Sequence, residues 1–234
     1  MPIVQWTAGA KNMPSGAVAK TYYTNFPSAP ENPVSEGGMW VAPSVFNAVI
    51  ATTTSPNRTY STQAGSPTNY NDSCANLNGF KPNVMIQATI YKDPTIDTIN
   101  GAHEAEILFR VAPGSTAMRA YECNWSSGGY YSQIVTWNGV AGSYTFLAGQ
   151  TGSSFTAPQT GDVVRATIVS GTITTYIQYA VANGGDGVTW TQLQTATDST
   201  WTDGQPGMGM WFDSTGGGSN PQKYGFTDFY VTEI

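Results

Sequence analysis

From residue 84 onward, apolar and polar side chains alternate with a period of two. Val84, Ile86, Ala88 and Ile90 interleave with Met85, Gln87, Thr89 and Tyr91. That is the spacing of a strand with one buried face, because successive strand side chains point to opposite sides. Ala105, Ile107, Phe109 and Val111 repeat the pattern and send Glu104, Glu106 and Arg110 to the other face. The same rule predicts strands over 117–125, 131–137, 143–148, 162–169, 172–180, 206–212 and 224–233. Asn138-Gly139, Ser170-Gly171, Gly128-Gly129 and Asp203-Gly204 supply residues that accept positive φ in tight connections. No segment keeps a helical period over three turns. The expectation is an all-β chain whose strands follow one another as an antiparallel meander, folded as a sandwich or a barrel.

The first third of the chain reads differently. Residues 27–82 are rich in Pro, Ser, Thr and Asn, with Thr52-Thr53-Thr54-Ser55-Pro56 and Gly65-Ser66-Pro67 as breaks. Short strands are expected over 38–42 and 45–51, followed by a long excursion. Residues 1–25 carry Trp6, Tyr22 and Tyr23, enough apolar surface to dock as an arm or first strand on the sandwich or on a neighbour. Residues 26–234 are expected to form one domain, since all-β sandwiches often reach this size as a single unit.

Composition narrows the partners. The 234 residues carry 15 acidic and 9 basic side chains, a net charge of −6 that argues against nucleic acid. No apolar run approaches the roughly 18 residues that would span a bilayer, so membrane insertion is not expected. No basic segment followed by an apolar one opens the chain, so no secretory signal is visible. Cys74 and Cys123 are too few for a cysteine-only metal site, and a disulfide or two buried thiols fit equally well.

Particular stretches resemble a known family. Asn32-Pro33-Val34-Ser35-Glu36-Gly37-Gly38-Met39-Trp40 is similar to the first-strand motif of concanavalin A-like (laminin G-like) lectins and glucanases. Tyr121-Glu122-Cys123-Asn124-Trp125, with Gln133-Ile134-Val135-Thr136-Trp137-Asn138-Gly139, resembles their central hairpin. Gly161-Asp162-Val163-Val164-Arg165, the run from Asp198 to Gly207, and Gly225-Phe226-Thr227-Asp228-Phe229 extend the likeness over about residues 26–234. These motifs specify strands and turns, so the resemblance implies the fold, an antiparallel β-sandwich of jelly-roll type, and leaves activity open.

Three kinds of chemistry are conceivable on such a frame. Glu104 and Glu106 share a strand face, and a carboxylate pair about 5 to 5.5 Å apart is what a retaining glycosidase needs. The family's glucanases carry Glu-x-Asp-x-x-Glu; here Glu106 replaces the Asp and Phe109 stands where the third carboxylate belongs. The expectation is therefore a solvated acidic face paired with Arg110 or Arg119. A polysaccharide lyase would need a base and a neutraliser, for which His103, Tyr130, Tyr131, Gln133 and Arg119 are the only material. The family's lyase motifs are absent, and the net negative charge would repel a polyuronate.

Calcium needs only convergent oxygens. Asp93, Asp97 and Asn100 crowd one loop, and Asp198, Asp203 and Asp228 fall at turn or terminal-strand positions, so Asp93, Asp97, Asp198 and Asp228 are the expected ligands of a structural Ca2+. The competing expectation is that these residues cap turns. Seven tryptophans and 13 tyrosines supply flat apolar platforms with polar edges, suited to stacking on sugar rings. Trp125, Tyr130, Tyr131 and Trp137 gather on one hairpin and, with Gln133 and Arg119, form the expected ligand surface; at least half of the tryptophans are expected in the core.

The combined expectation is a non-catalytic, lectin-like surface or adhesion module that binds a glycan or polysaccharide, extracellular or on a virion. The alternative is a structural decoration or fibre protein of a bacteriophage-like virion, assembled with neighbouring subunits. Catalysis, by Glu104, Glu106 and His103, would require these groups to converge in a groove.

Overall fold

The computed structural model describes residues 18–27, 29–42, 49–62, 72–96, 103–112, 118–129, 131–139, 143–151, 156–212 and 220–234. Before residue 84 it contains β1 (Thr21–Thr24), β2 (Trp40–Val41), β3 (Ile50–Thr54), β4 (Asn57–Ser61) and β5 (Ser73–Leu77). The alternating region then forms β6 (Val84–Lys92), β7 (Glu104–Val111), β8 (Met118–Ser126), β9 (Tyr131–Gly139) and β10 (Tyr144–Thr151). It continues as β11 (Val163–Val169), β12 (Thr172–Gln178), β13 (Thr191–Thr197), β14 (Gln205–Trp211) and β15 (Tyr224–Glu233). No helix among the described residues is long and apolar enough to cross a membrane.

Two sheets face each other. One has the order β1-β15-β6-β11-β12-β13 and the other β10-β9-β8-β7-β14-β5-β2, while β3 and β4 form a separate ribbon. Their ladders are antiparallel throughout. The expected meander holds only for β7 to β10 and for β11 to β13. Elsewhere the chain switches sheets, with β5 and β14 in one and β6 and β15 in the other. Burial alternation records that a strand has an inner face and is blind to which sheet owns it, so the crossovers were not foreseeable from the pattern.

Local chemistry explains the other departures. Ser170 and Gly171 take φ of 49° and 86°, the two left-handed positions of a tight hairpin between β11 and β12. Asn138-Gly139, by contrast, belongs to the end of β9, where Gly139 pairs with Met118. Strand β13 has a mostly polar sequence, as suits an edge strand with β12 as its one neighbour. In the expected excursion, β3, β4 and β5 form, and residues 43–48, part of the strand expected over 45–51, lie outside the described residues. Residues 36–38 form a 3-10 turn, which shortens the strand expected over 38–42 to Trp40–Val41. Strand β1 pairs along β15 from Thr21↔Thr232 to Thr24↔Phe229, and residues 1–17 of the expected arm lie outside the described residues.

The core lies between the two sheets. Ile86, Ala88, Val164, Ala166, Ile173, Ile177, Phe229 and Val231 come from one side; Ala75, Leu77, Ala105, Ile107, Phe109, Tyr121, Cys123, Trp125, Met208 and Met210 come from the other. Strand parity then assigns the opposite face of the seven-stranded sheet. It carries Cys74, Glu104, Glu106, Leu108, Ala120, Glu122, Asn124, Gln133, Val135, Trp137, Gly209 and Trp211. Cys74, Leu108, Ala120, Val135 and Trp137 form a second apolar cluster there. The outer face is therefore partly buried. Cys74 and Cys123 point to opposite faces and are unbridged, which resolves the two alternatives in favour of buried thiols.

Candidate functional site

The acidic side chains gather on that outer face. Glu106 of β7 lies opposite Asn124 of β8 on one side and Gly209 of β14 on the other. Glu122 follows on β8, and Asp72 immediately precedes β5. One carboxylate oxygen from each of Asp72, Glu106 and Glu122 falls within 4.8 Å of the others. The residues are 4%, 1% and 3% exposed. The expected solvated acidic face is thus wrong for Glu106: neighbouring strands and the second apolar cluster cover it.

Nor do the expected arginines reach it. A bulge in the β7–β14 register, between Gln205↔Val111 and Gly207↔Leu108, together with φ of 54° at Arg110, turns that side chain toward the Trp201 carbonyl. Arg119 sits on the inner-face parity of β8, pairs with Asp203 and stacks 4.9 Å over the Trp201 ring. Among the described residues, the ion pairs are Lys81–Glu233 and Arg119–Asp203, so none neutralises the acidic group.

Each carboxylate has a distinct environment. Glu122 accepts from Trp137 Nε1 at 2.5 Å and from Asn124 Nδ2 at 2.8 Å. Asn124 in turn accepts from the Gln133 backbone N–H at 2.9 Å, which ties β8 to β9 at this point. Glu104, at the rim, accepts from the Tyr131 hydroxyl. Both oxygens of Glu106 are buried without a hydrogen-bond partner. Burial pushes the Glu106 and Asp72 carboxyls well above the usual range, and the Glu122 charge adds to the effect. Glu104 moves the same way for the same two reasons, against the Tyr131 hydrogen bond. Glu122 is raised by burial while its two donors oppose the rise. Like charges within 4.8 Å repel by at least about 3.5 kcal/mol per pair at an effective dielectric near 20, so three bare carboxylates require a proton or a cation between them.

Above this floor opens a pocket of about 260 Å³. Asp72, Glu104 and Glu122 supply its acidic side, and Asn124 and Gln133 its amides. Tyr131, Trp137, Tyr144 and Trp211 supply the aromatic walls. Tyr144 is 42% exposed and lies tilted against Trp137 with ring centroids 5.8 Å apart.

The residues expected from sequence divide between this pocket and other places. Tyr131, Gln133 and Trp137 line it, beside Glu104. Trp125 is fully buried in the sandwich core, because it shares the inner parity of Tyr121 and Cys123; it offers no surface to a ligand. Arg119 is on the wrong face for the same reason. His103 is buried edge-on against Phe212, with ring centroids 4.7 Å apart, and does not line the pocket. Tyr130 lies outside the described residues.

Of the expected calcium ligands, the three among the described residues, Asp93, Asp198 and Asp228, do not converge. Asp93 accepts from the Thr95 N–H and hydroxyl, Asp198 from the Tyr121 hydroxyl and the Thr200 N–H, and Asp228 from the Thr89 N–H. These are turn caps and strand ties. Asp97 and Asn100 lie outside the described residues. Sequence reasoning missed Asp72, Tyr144 and Trp211. Alternation with Met208 and Met210 carried a signal for Trp211, whereas nothing in the polar stretch around Asp72 did.

No protein-family model and no curated protein sequence matches the chain. Solved structures do. The exoplasmic/lumenal domain of VIP36 in a Ca2+-bound form is similar, with a TM-score of 0.60 and 12% identity over 92% of each chain. So is the carbohydrate-binding module CBM66 from Bacillus subtilis, with a TM-score of 0.51 and 12% identity over 86% of this chain and 96% of that one. The GH43B protein of a Bacteroides ovatus xyloglucan locus matches with a TM-score of 0.54 and 15% identity, covering 95% of this chain and 41% of that one. Similarity at this level shows the fold alone, a jelly-roll β-sandwich.

Proposed function

We propose that this chain is a glycan-binding module, acting outside a cell or on a virion surface, whose sugar site is the outer-face pocket of the seven-stranded sheet. The observation that carries the reading is the composition of that pocket: the exposed Tyr144 and half-buried Tyr131 and Trp211, backed by the buried Trp137, stand beside amide and carboxylate groups. Aromatic faces suit the C–H side of a sugar ring, and Asn124, Gln133 and Glu104 suit its hydroxyls. The similar structures support the reading, since CBM66 is a carbohydrate-binding module and VIP36 has been seen with Ca2+ and Man2 bound. A calcium ion bound here would be structural, organising the pocket floor.

A second reading draws on the same carboxylates. Glu104 and Glu122 both line the pocket, and a pair of carboxyl groups flanking a bound sugar is what glycoside hydrolysis requires. One experiment decides between them. Purified protein is tested on a broad glycan and polysaccharide panel, with each supernatant assayed for new reducing ends and unsaturated uronates. Binding without product is the expected result. Product release would establish catalysis, and silence across the panel would favour a structural role in a virion shell.

A further inference from the structure

We propose that Asp72, Glu106 and Glu122 hold one divalent, oxygen-seeking cation, with calcium preferred, beneath the outer-face pocket. The site goes beyond sugar binding and does not depend on it, since an ion can be held whether or not a glycan is.

The geometry begins with a missing side chain. The adjacent strands β14, β7 and β8, with the residue just before β5, bring Gly209, Glu106, Glu122 and Asp72 together on one face, Gly209 directly opposite Glu106. A Cβ on Gly209 would stand 2.1 Å from Glu106 Oε2. The glycine therefore leaves the room into which the Glu106 carboxylate extends between its neighbours. The three ligand oxygens lie within 4.8 Å of one another, so an ion at their centre stands at most about 2.8 Å from each, within a small side-chain adjustment of a Ca–O bond of 2.3 to 2.6 Å.

A second observation points to a ligand independently of the acidic count. Glu106 is 1% exposed and neither of its oxygens has a hydrogen-bond partner. Buried polar groups are nearly always satisfied, so a buried carboxyl with no donor calls for a partner, and an ion is one that carboxylate oxygens accept. Glu122 is arranged for the same role: Trp137 and Asn124 occupy one lone pair on each of its oxygens and fix its plane, leaving a second lone pair on each.

Chemistry selects the metal. Three carboxylate oxygens with no nitrogen or sulfur ligand suit hard cations and disfavour zinc and copper. Asp72 and Glu122 also line the pocket, which provides an entry path and room for the water ligands that complete a six- to eight-fold shell. Magnesium needs near-ideal octahedral geometry at shorter bonds, which three carboxylates anchored on separate strands do not readily meet.

The test uses the full chain after stripping with EDTA. Calcium chloride and then magnesium chloride are titrated in by calorimetry, and terbium(III) is added to a separate sample while its luminescence is excited through tryptophan. The expected results are one calcium per chain, weaker magnesium binding, and terbium emission sensitised by Trp137, whose indole touches the ligand Glu122. Glu106→Gln is expected to weaken calcium at least about tenfold, because ligand charge tunes such sites over decades. Asp93→Asn and Asp198→Asn are expected to leave it unchanged. Should Glu106→Gln fail to fold, Trp137→Phe keeps all three carboxylates and is expected to cost about 10- to 100-fold through the lost supporting hydrogen bond. The proposal is overturned if folded wild-type protein gives neither calcium heat nor sensitised terbium emission, or if calcium binding survives Glu106→Gln and disappears with Asp93→Asn.

Discussion

Gly209 faces Glu106 across the β7–β14 ladder, and a methyl group on the glycine would overlap the glutamate's carboxylate. Gly209→Ala is therefore expected to push Glu106 from the acidic group and to strain a buried contact. Overpacking of this kind costs about 1–3 kcal/mol. Urea unfolding of the variant should show a loss in that range together with weakened calcium binding. Unchanged stability and unchanged binding would mean that the glycine is not what makes room for the carboxylate.

Two aromatic residues that look alike in sequence should behave differently. Trp125→Ala empties a fully buried site in the core and is expected to cost about 3–5 kcal/mol. Tyr144→Ala removes a ring that is 42% exposed and is expected to change stability by less than about 1 kcal/mol, while lowering glycan affinity. Denaturant midpoints for the two variants, measured side by side, check the assignment of faces.

Acid should weaken a specific tie in the first third of the chain. Glu31 accepts from the N–H groups of Ser35 at 2.7 Å and Glu36 at 2.9 Å. Partial burial pushes its carboxyl up, but these bonds and the Ser35 hydroxyl outweigh it and hold the value below the usual range. A depressed folded-state value means that the stabilisation is present above the unfolded value near 4.3 and is lost as pH falls through the folded one. Comparing wild type with Glu31→Gln from pH 7 to pH 2, the stability gap should be up to about 1 kcal/mol at neutral pH and close with acid. A gap that is constant across this range would contradict the assignment.

The thiols offer a simple check on burial. Cys74 and Cys123 are buried and unbridged, and burial pushes both thiols well above their ordinary value. A thiol reagent should label neither residue in the native protein and both in denaturant without reductant. Native labelling, or a denatured chain that needs reductant first, would overturn the placement.

Much of this arrangement could be seen in the chain before its fold. Alternation across 104–111 put Glu104 and Glu106 on one face and Ile107 and Phe109 on the other, as β7 has them. The fate of the aromatic hairpin was harder, because Trp125 and Trp137 have the same local look. Only the pairing Ala120↔Trp137, one residue out of phase with Tyr121 and Trp125, separates core from pocket. The acidic group was least legible. Gly209 and Glu106 are far apart in sequence, and their contact depends on β14 inserting between β5 and β7, a crossover that no local period records. Asp72 lies in a polar stretch without alternation, so nothing near it announced a strand.

The central claim is that sugar enters the outer-face pocket, and tryptophan fluorescence tests it most directly. Trp211 and Trp137 line that pocket, so titration with the tightest neutral oligosaccharide from the glycan panel should produce a saturable change in emission. The account predicts that Trp211→Phe removes most of this change and that Tyr144→Ala weakens affinity about tenfold, or about 1.4 kcal/mol. Undiminished binding in both variants would place the sugar elsewhere on the molecule and contradict the assignment of this face.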